Sequence, residues 1–123
     1  MQSGKRKVVI LHELGVIIEI INQVELVAKE NSVEKIQALV LQIGELSSMI
    51  PEYMRKLYPA AVGGTILEDS QLEIEIIPAN GRCKSCRGIF NLIKARSTCP
   101  DCGSVEFELL SGKEFYIKEI VCM

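Results

Sequence analysis

The sequence of 123 residues contains no Trp, a single His and few aromatic residues, which make up 5% of the chain. With one His, and no grouping of a nucleophile with a base and an orienting residue, we do not expect an enzyme. No run approaches the roughly twenty apolar residues of a membrane span, so no membrane association is expected. The formal net charge of −2 disfavours a nucleic-acid binder, because duplex affinity depends on many Lys and Arg side chains.

The amino terminus shows no secretory signal, because Lys5, Arg6 and Lys7 are followed by only a short apolar stretch before His12 and Glu13. We therefore expect a reducing, cytoplasmic location, in which disulfides are rare. A chain of this length with 48% hydrophobic and 24% charged residues fits one compact domain with room for a small annex.

Four of the five cysteines form two C-x-x-C pairs with twelve residues between them, namely Cys83 with Cys86 and Cys99 with Cys102. Two intervening residues let both thiolates of a pair point at one ion, and a hairpin brings the second pair opposite the first. Four protein ligands leave no open position for water or substrate. The spacing therefore predicts a structural zinc ribbon rather than a catalytic zinc site.

Two other interpretations of the cysteine pairs are weaker. Two disulfides would need an oxidising compartment. Rubredoxin-type iron uses a similar pair of knuckles, and Gly103 directly after Cys102 suits the turn that such a site requires. The fifth cysteine, Cys122, has no partner at ligand spacing, and we assign it no role.

Hydrophobic periodicity predicts two helices and several strands. In chain order the main elements are a helix over 13–29, a strand over 36–43, a helix from about 51 to 61, a strand over 72–77 and a strand over 114–121. The core face of the first helix is predicted to hold Leu14, Ile17, Ile18, Ile21, Val24 and Ala28. Ser47 or Ser48 is predicted to cap the second helix, with Pro51 and Glu52 in its first turn.

This order predicts an α+β fold, in which two helices pack on a small mixed three-stranded sheet and a zinc-ribbon lobe is inserted between two strands. The predicted domain organisation has three parts. Residues 12–78 and 112–123 form the α+β domain, residues 79–111 form the zinc-ribbon domain, and residues 1–11 are an amino-terminal extension.

Several stretches together resemble the HypA/HybF family of hydrogenase-maturation nickel chaperones. The motifs that carry the resemblance are His12-Glu13-Leu14, Gly44-Glu45-Leu46-Ser47, Pro51-Glu52, Gly64-Thr65, Leu67-Glu68, 72–75, the two cysteine pairs, Ser111-Gly112 and 117–120. The resemblance implies structural zinc in the ribbon and weak nickel binding at the amino-terminal Met-His-Glu of the family. It thus implies His12 as a nickel ligand, and Glu13 as a further ligand or as a support for the ligands.

The same resemblance implies the partners. Members of the family cooperate with a GTPase of the HypB type and deliver nickel to the large subunit of [NiFe]-hydrogenase. In some organisms they also serve urease, through a urease accessory protein.

The sequence departs from the family at the position before His12, where Leu11 replaces the initiating Met and ten residues precede it. A terminal amine, the next backbone nitrogen and an imidazole can hold Ni(II) in a plane, but this arrangement needs the free amine. One hypothesis is that Leu11 is the true initiator, and that residues 1–10 are a mis-assigned start or a tag. The other is that the extension is genuine and that His12 is a single imidazole anchor, helped by Glu13 or by a second molecule.

A rival interpretation from another functional class is a zinc-ribbon module associated with nucleic acid or transcription. Lys84, Arg87, Lys94 and Arg96 would then contact phosphates, with Asp101 as the one acidic residue between Cys83 and Cys102. The metal site explains the same cluster of basic residues without a nucleic acid. Four thiolates around a dication leave a charge of −2, and these residues partly balance it. We therefore favour the metallochaperone.

Overall fold

The computed structural model describes residues 11–123. The predicted extension therefore lies outside the described residues, apart from Leu11, at which the first helix begins. The elements in chain order are α1 (Leu11–Glu30), β1 (Ile36–Gly44), α2 (Pro51–Ala61), β2 (Gln71–Ile77), β3 (Asn80–Cys83), β4 (Ile89–Asn91), β5 (Phe107–Leu109) and β6 (Phe115–Cys122). Within the described part of the chain, neither helix combines the length and the apolar character needed to cross a membrane.

The larger sheet has three strands in the order β2, β1, β6. β1 runs parallel to β2 and antiparallel to β6, and Leu41 pairs with Ile74 on one side and Ile117 on the other. Because β1 is the central strand, most of its side chains are buried, as its nearly continuous apolar sequence predicts. The mixed three-stranded sheet and the α+β class are confirmed.

Strands β3, β4 and β5 form a second, antiparallel sheet in the order β4, β3, β5. In the chain this sheet lies between β2 and β6, so the ribbon is an insertion, as predicted. Its buried residues form a cluster separate from that of the larger sheet. This small cluster consists of Ala79, Cys83, Phe90, Leu92 and Cys99.

The core face of α1 differs from the prediction most clearly at Ile18, and the predicted Leu14 is half-buried and lies outside the buried cluster. Ile18 is 49% exposed, whereas Ile20 is 5% exposed. Successive helical residues are about 100° apart, so Ile18 falls to one side of the stripe defined by Ile17, Ile21 and Val24. The buried face packs on the side chains of β1 and α2, including Leu39, Leu41, Ile43, Met54 and Tyr58.

The start of α2 also differs from the prediction, because neither Ser47 nor Ser48 caps it. Ile50 occupies the cap position and makes no side-chain cap. Its backbone N–H instead donates to the Glu13 carboxylate at 3.1 Å, so the negative group at this helix end comes from α1. The Ser47 hydroxyl accepts from the N–H of Met49, which tightens the turn before the helix.

The two sheets meet at a junction formed by residues 44–46, 78–80 and 111–112. A side chain on Gly44 would overlap the Gly112 carbonyl, and this carbonyl accepts the Leu46 N–H at 2.7 Å. Gly112 has a φ of 121°, and a Cβ there would lie 2.7 Å from the Cα of Ala79. The backbones therefore approach so closely that both positions require glycine.

Candidate metal sites

The two cysteine knuckles have the same backbone pattern. In each, the first Cys donates its N–H to a carbonyl five residues later and accepts an N–H from the residue four later. The hydrogen bonds are Cys83 N–H to Gly88 O (2.8 Å), Arg87 N–H to Cys83 O (2.9 Å), Cys99 N–H to Ser104 O (2.8 Å) and Gly103 N–H to Cys99 O (2.9 Å). Arg87 and Gly103 occupy equivalent positions with φ angles of 68° and 79°, which turn the chain back at each knuckle.

This turn geometry brings the four predicted sulfurs together. All four Sγ atoms lie within 4.8 Å of one another. The Sγ atoms of Cys83 and Cys102 are 3.5 Å apart, and those of Cys86 and Cys99 are 3.6 Å apart. Four sulfurs about 2.3 Å from one ion in a tetrahedron are about 3.8 Å apart, so the spacing fits a tetrahedral metal. All five cysteines are free, and none forms a disulfide.

The electrostatics of the cluster favour a bound cation. A hydrogen bond from the Cys86 backbone N–H lowers the pKa of the Cys83 thiol to about 6. For Cys86 the hydrogen bond from Gly88 lowers the pKa, but interactions with the neighbouring thiols and burial outweigh it and raise the pKa to about 12. Thiols this close do not all ionise unless a cation neutralises them. The donor set therefore suits a thiolate-binding metal such as zinc.

The predicted nickel residues, His12 and Glu13, point in different directions from the start of α1. The His12 side chain is exposed, and its Nε2 lies 3.3 Å from the Ser48 hydroxyl. Glu13 is 3% exposed, and its carboxylate accepts the Ile50 N–H. One carboxylate oxygen is thus already occupied in the contact between α1 and the start of α2.

Among the residues that the structure describes, no second cluster of three or more metal-ligating side chains surrounds His12. Over residues 12–123, the four cysteines are the one group of three or more His, Cys, Asp or Glu side chains whose ligand atoms converge. The described residues therefore offer nickel one exposed imidazole. Further donors would come from Glu13, from the backbone, from bound water or from another molecule.

Sequence reasoning missed two residues at this site, Ser48 and Ile50. Their contacts with His12 and Glu13 join positions 36 and 37 residues apart. No local pattern signals such contacts, because they depend on how α1 packs against the segment before α2. The serines were instead predicted as helix caps.

Glu45 has a role that its position at the end of a strand did not indicate. Its Oε1 accepts the Ala79 N–H at 2.7 Å and the Asn91 side-chain amide at 3.2 Å. The hydrogen bond from Ala79, and next that from Asn91, lower the pKa of the Glu45 carboxyl below its usual value. A single carboxylate thus connects the larger sheet to the ribbon.

Comparison with known proteins gives a consistent family match. Residues 11–122 match the family model described as hydrogenase/urease nickel incorporation, metallochaperone, hypA. A hydrogenase maturation factor HypA from Nostoc punctiforme is 39% identical over 110 residues, covering 89% of this chain and 94% of the relative. The HypA of Moorella thermoacetica is 36% identical over 107 residues, covering 87% and 95%.

Two solved structures share the fold. The solution structure of the Ni metallochaperone HypA from Helicobacter pylori superposes with a TM-score of 0.61 at 23% identity, covering 92% of this chain and 98% of that one. A second solution structure, of a HypA protein, gives a TM-score of 0.66 at 24% identity and covers 94% and 98%. At these identities the two structures support the arrangement of the two sheets and the helices.

Proposed function

Because this chain belongs to the HypA family, we propose that it is a nickel metallochaperone of hydrogenase maturation that binds Ni(II) at the start of α1. The observation that carries the proposal is the family match, which runs from residue 11 to residue 122 and so includes His12 and the cysteine ribbon. In this proposal nickel is the cargo. Residues 12–78 with 112–123 act as the nickel-binding domain, and residues 79–111 act as the zinc-ribbon domain.

His12 is the proposed nickel ligand because its imidazole is exposed, while the helix behind it is anchored. The Ser48 hydroxyl is close enough to hold one ring nitrogen, which leaves the other available to a metal. Glu13 supports this arrangement by joining α1 to the start of α2 through Ile50. A site with one protein side chain binds weakly, and weak binding suits an ion that must be passed on.

The four cysteines are the proposed zinc ligands. Zinc bound to four thiolates has no open coordination position, so its contribution is to hold the ribbon's shape. The recipient of nickel is proposed to be the large subunit of [NiFe]-hydrogenase. Delivery is proposed to involve a GTPase of the HypB type in the cytoplasm, and a urease accessory protein is a further proposed partner.

Calorimetry of Ni(II) binding tests the nickel site. We compare the full chain with a form in which Met replaces Leu11 and residues 1–10 are removed. If the free amine is a ligand, the short form binds more tightly and shows the absorption of planar, diamagnetic Ni(II). His12→Ala should abolish binding in both forms. Unchanged binding after His12→Ala in both forms would remove this residue from the site.

The biological role needs a separate test in cells. Deletion of the gene should leave hydrogenase without nickel when the metal is scarce, and the His12→Ala chain should fail to restore it. Full metallation of hydrogenase in the deletion strain under nickel limitation would overturn the proposed function. Urease activity, measured in the same strains, determines whether that enzyme is also served.

A further inference from the structure

An apolar groove crosses the junction between the larger sheet and the ribbon. It has a volume of about 450 Å³, within the range of sites that bind ligands or peptide side chains. Leu92 and Phe107 line it from the ribbon core. Leu46, Ile93 and Leu109 also line it, and they are 42%, 48% and 36% exposed. Exposed apolar side chains that adjoin in a groove indicate a binding surface rather than chance exposure.

The alternation of side chains along β5 explains why the groove is apolar on this side. Phe107 and Leu109 line the groove, whereas Glu108 between them pairs with Arg82 at 3.5 Å on the other face of the strand. The Phe107 and Phe90 rings also pack in a T-shaped contact, with centroids 6.2 Å apart. The groove wall is therefore fixed by the ribbon core before anything binds.

Two cations, Arg96 and Lys113, also line the groove, and no carboxylate among the described residues lines it. Neither cation forms an ion pair with any residue from 12 to 123. Arg96 and the next residue, Ser97, have φ angles of 51° and 58°, which are uncommon for residues with a Cβ. The Ser97 N–H bonds the Leu92 carbonyl at 2.8 Å, and this bond holds the turn that places Arg96 at the groove.

We infer that this groove binds an acidic segment of a partner protein, in which a Leu or Phe side chain is flanked by Asp or Glu. The apolar side chain would lie between Ile93 and Leu109, and the carboxylates would pair with Arg96 and Lys113. Charge complementarity selects this occupant, because the described lining of the groove has two cations without an ion-pair partner in residues 12–123 and no carboxylate. Since Leu46 and Lys113 come from the larger sheet's side of the junction, the segment contacts both parts of the molecule.

A nucleic acid fits this groove less well. Two cations neutralise few phosphates, and the aromatic ring of Phe107 is half-buried against Phe90 rather than free to stack on a base. The inference adds a docking surface to the proposed function and does not depend on nickel binding at His12.

Fluorescence anisotropy with two short fluorescein-labelled peptides tests the inference on the full chain with zinc bound, in nickel-free buffer. One probe carries two Leu residues flanked by Glu. The second replaces every Glu with Lys and keeps both Leu. The acidic probe should bind at least about tenfold more tightly than the basic one, and added salt should weaken its binding. Equal binding of the two probes, or binding of neither at about millimolar concentration, overturns the inference.

Variants locate the binding. The double substitution Arg96→Glu and Lys113→Glu should lower the affinity for the acidic probe at least about tenfold. Lys84→Glu, on another face of the ribbon, should leave this affinity unchanged. Ile93→Ser should weaken binding severalfold without unfolding the protein, because this side chain is already 48% exposed. An unchanged affinity in the double variant overturns the inference. Probe binding by the His12→Ala chain should equal that of the unmodified chain, which separates this test from that of the nickel site.

NMR amide chemical shifts and a competition experiment distinguish an acidic segment from the other possible occupants of the groove. Addition of the acidic probe should shift the amides of Leu46, Ile93 and Leu109. If the same amides shift when the protein alone is concentrated, the occupant is a second copy and the inference is wrong. It is also wrong if a single-stranded oligonucleotide displaces the acidic probe at a lower concentration than the unlabelled acidic peptide does.

Discussion

The Glu45 carboxylate lies 2.7 Å from the backbone nitrogen of Ala79 and accepts its hydrogen bond. Ala79 is fully buried and immediately precedes the first strand of the ribbon. The side-chain amide of Asn91, at the end of β4, donates to the same oxygen. Glu45 therefore fixes the ribbon to the end of the central strand β1 through a contact with each of two ribbon segments.

This contact should depend on pH. The hydrogen bonds from Ala79 and then Asn91 lower the pKa of Glu45 below its ordinary value of 4.5. A carboxyl with a lowered folded-state pKa stabilises the fold above its unfolded pKa, and this contribution is lost as the pH falls through the folded value. The chemical shift of the Ala79 amide proton, measured by NMR, should thus follow the ionisation of Glu45 with a midpoint below pH 4.5. In Glu45→Gln this titration should disappear, and its persistence would assign it to another group.

Two Gly→Ala substitutions should have opposite effects on stability. Gly44→Ala places a Cβ against the backbone of Gly112 and Lys113, which cannot move aside as a side chain could, and should cost about 3 kcal/mol or more. Gly15→Ala, in helix α1, meets nothing within 4 Å and should stabilise by about 0.5–1 kcal/mol. Urea denaturation measures both. Equal effects of the two substitutions would contradict the close approach at the junction.

Loss of the metal should unfold the ribbon and spare the larger sheet. Two of the five residues in the ribbon's buried cluster are cysteine ligands, so little core remains without the ion. We expect one zinc per chain by metal analysis, and Cys99→Ser should lose it. Hydrogen exchange should then become fast at Phe90 and stay slow at Leu41. The matched control, Cys122→Ser, should retain the metal, because this thiol is exposed and lies outside the cluster.

The identity of the ion is tested in the same preparation. Zinc gives a colourless protein, whereas iron bound by four thiolates is strongly coloured. Iron at one equivalent per chain would replace the zinc prediction with the rubredoxin-type alternative. Ribbon amides that stay protected after complete metal removal would contradict a structural role for either ion.

Substitutions at Glu13 can separate its structural role from a role in nickel binding. Glu13→Ala removes the acceptor of the Ile50 N–H and should cost about 1–3 kcal/mol, whereas Glu25→Ala, exposed on the same helix, should have little effect. Glu13→Gln keeps an oxygen that can accept the bond and should cost less. We expect its nickel affinity to fall by less than about threefold. A loss greater than about tenfold at unchanged stability would instead make Glu13 a direct ligand.

The sequence was sufficient where structure follows from local patterns. The apolar run over 36–43 predicted a central strand, and the cysteine spacing predicted sulfurs that the structure places within 4.8 Å. Pro51 and Glu52 correctly marked the first turn of α2. These signals are local because each depends on backbone geometry within a few residues.

The remaining features depend on contacts between distant segments. The burial of Ile20 follows from which side of the stripe formed by Ile17 and Ile21 turns towards β1 and α2, and helical spacing alone does not determine that side. The carboxylate that accepts the Ile50 N–H at the start of α2 belongs to Glu13, which is distant in the chain. The residues next to α2 therefore do not reveal it. The apolar groove is lined by residues from both sides of the junction. It can be recognised only when the position of the ribbon relative to the larger sheet is known.

Residues 44–50 connect three of the contacts described above, since Glu45 reaches the ribbon, Ser48 reaches His12 and Ile50 reaches Glu13. One inserted residue would displace its neighbours along the chain by up to about 3.6 Å, which is more than a hydrogen bond can stretch. Substitutions of exposed side chains in residues 44–50 are consequently easier to accommodate than an insertion or a deletion in this segment. Insertions and deletions among related chains should accordingly fall outside this segment.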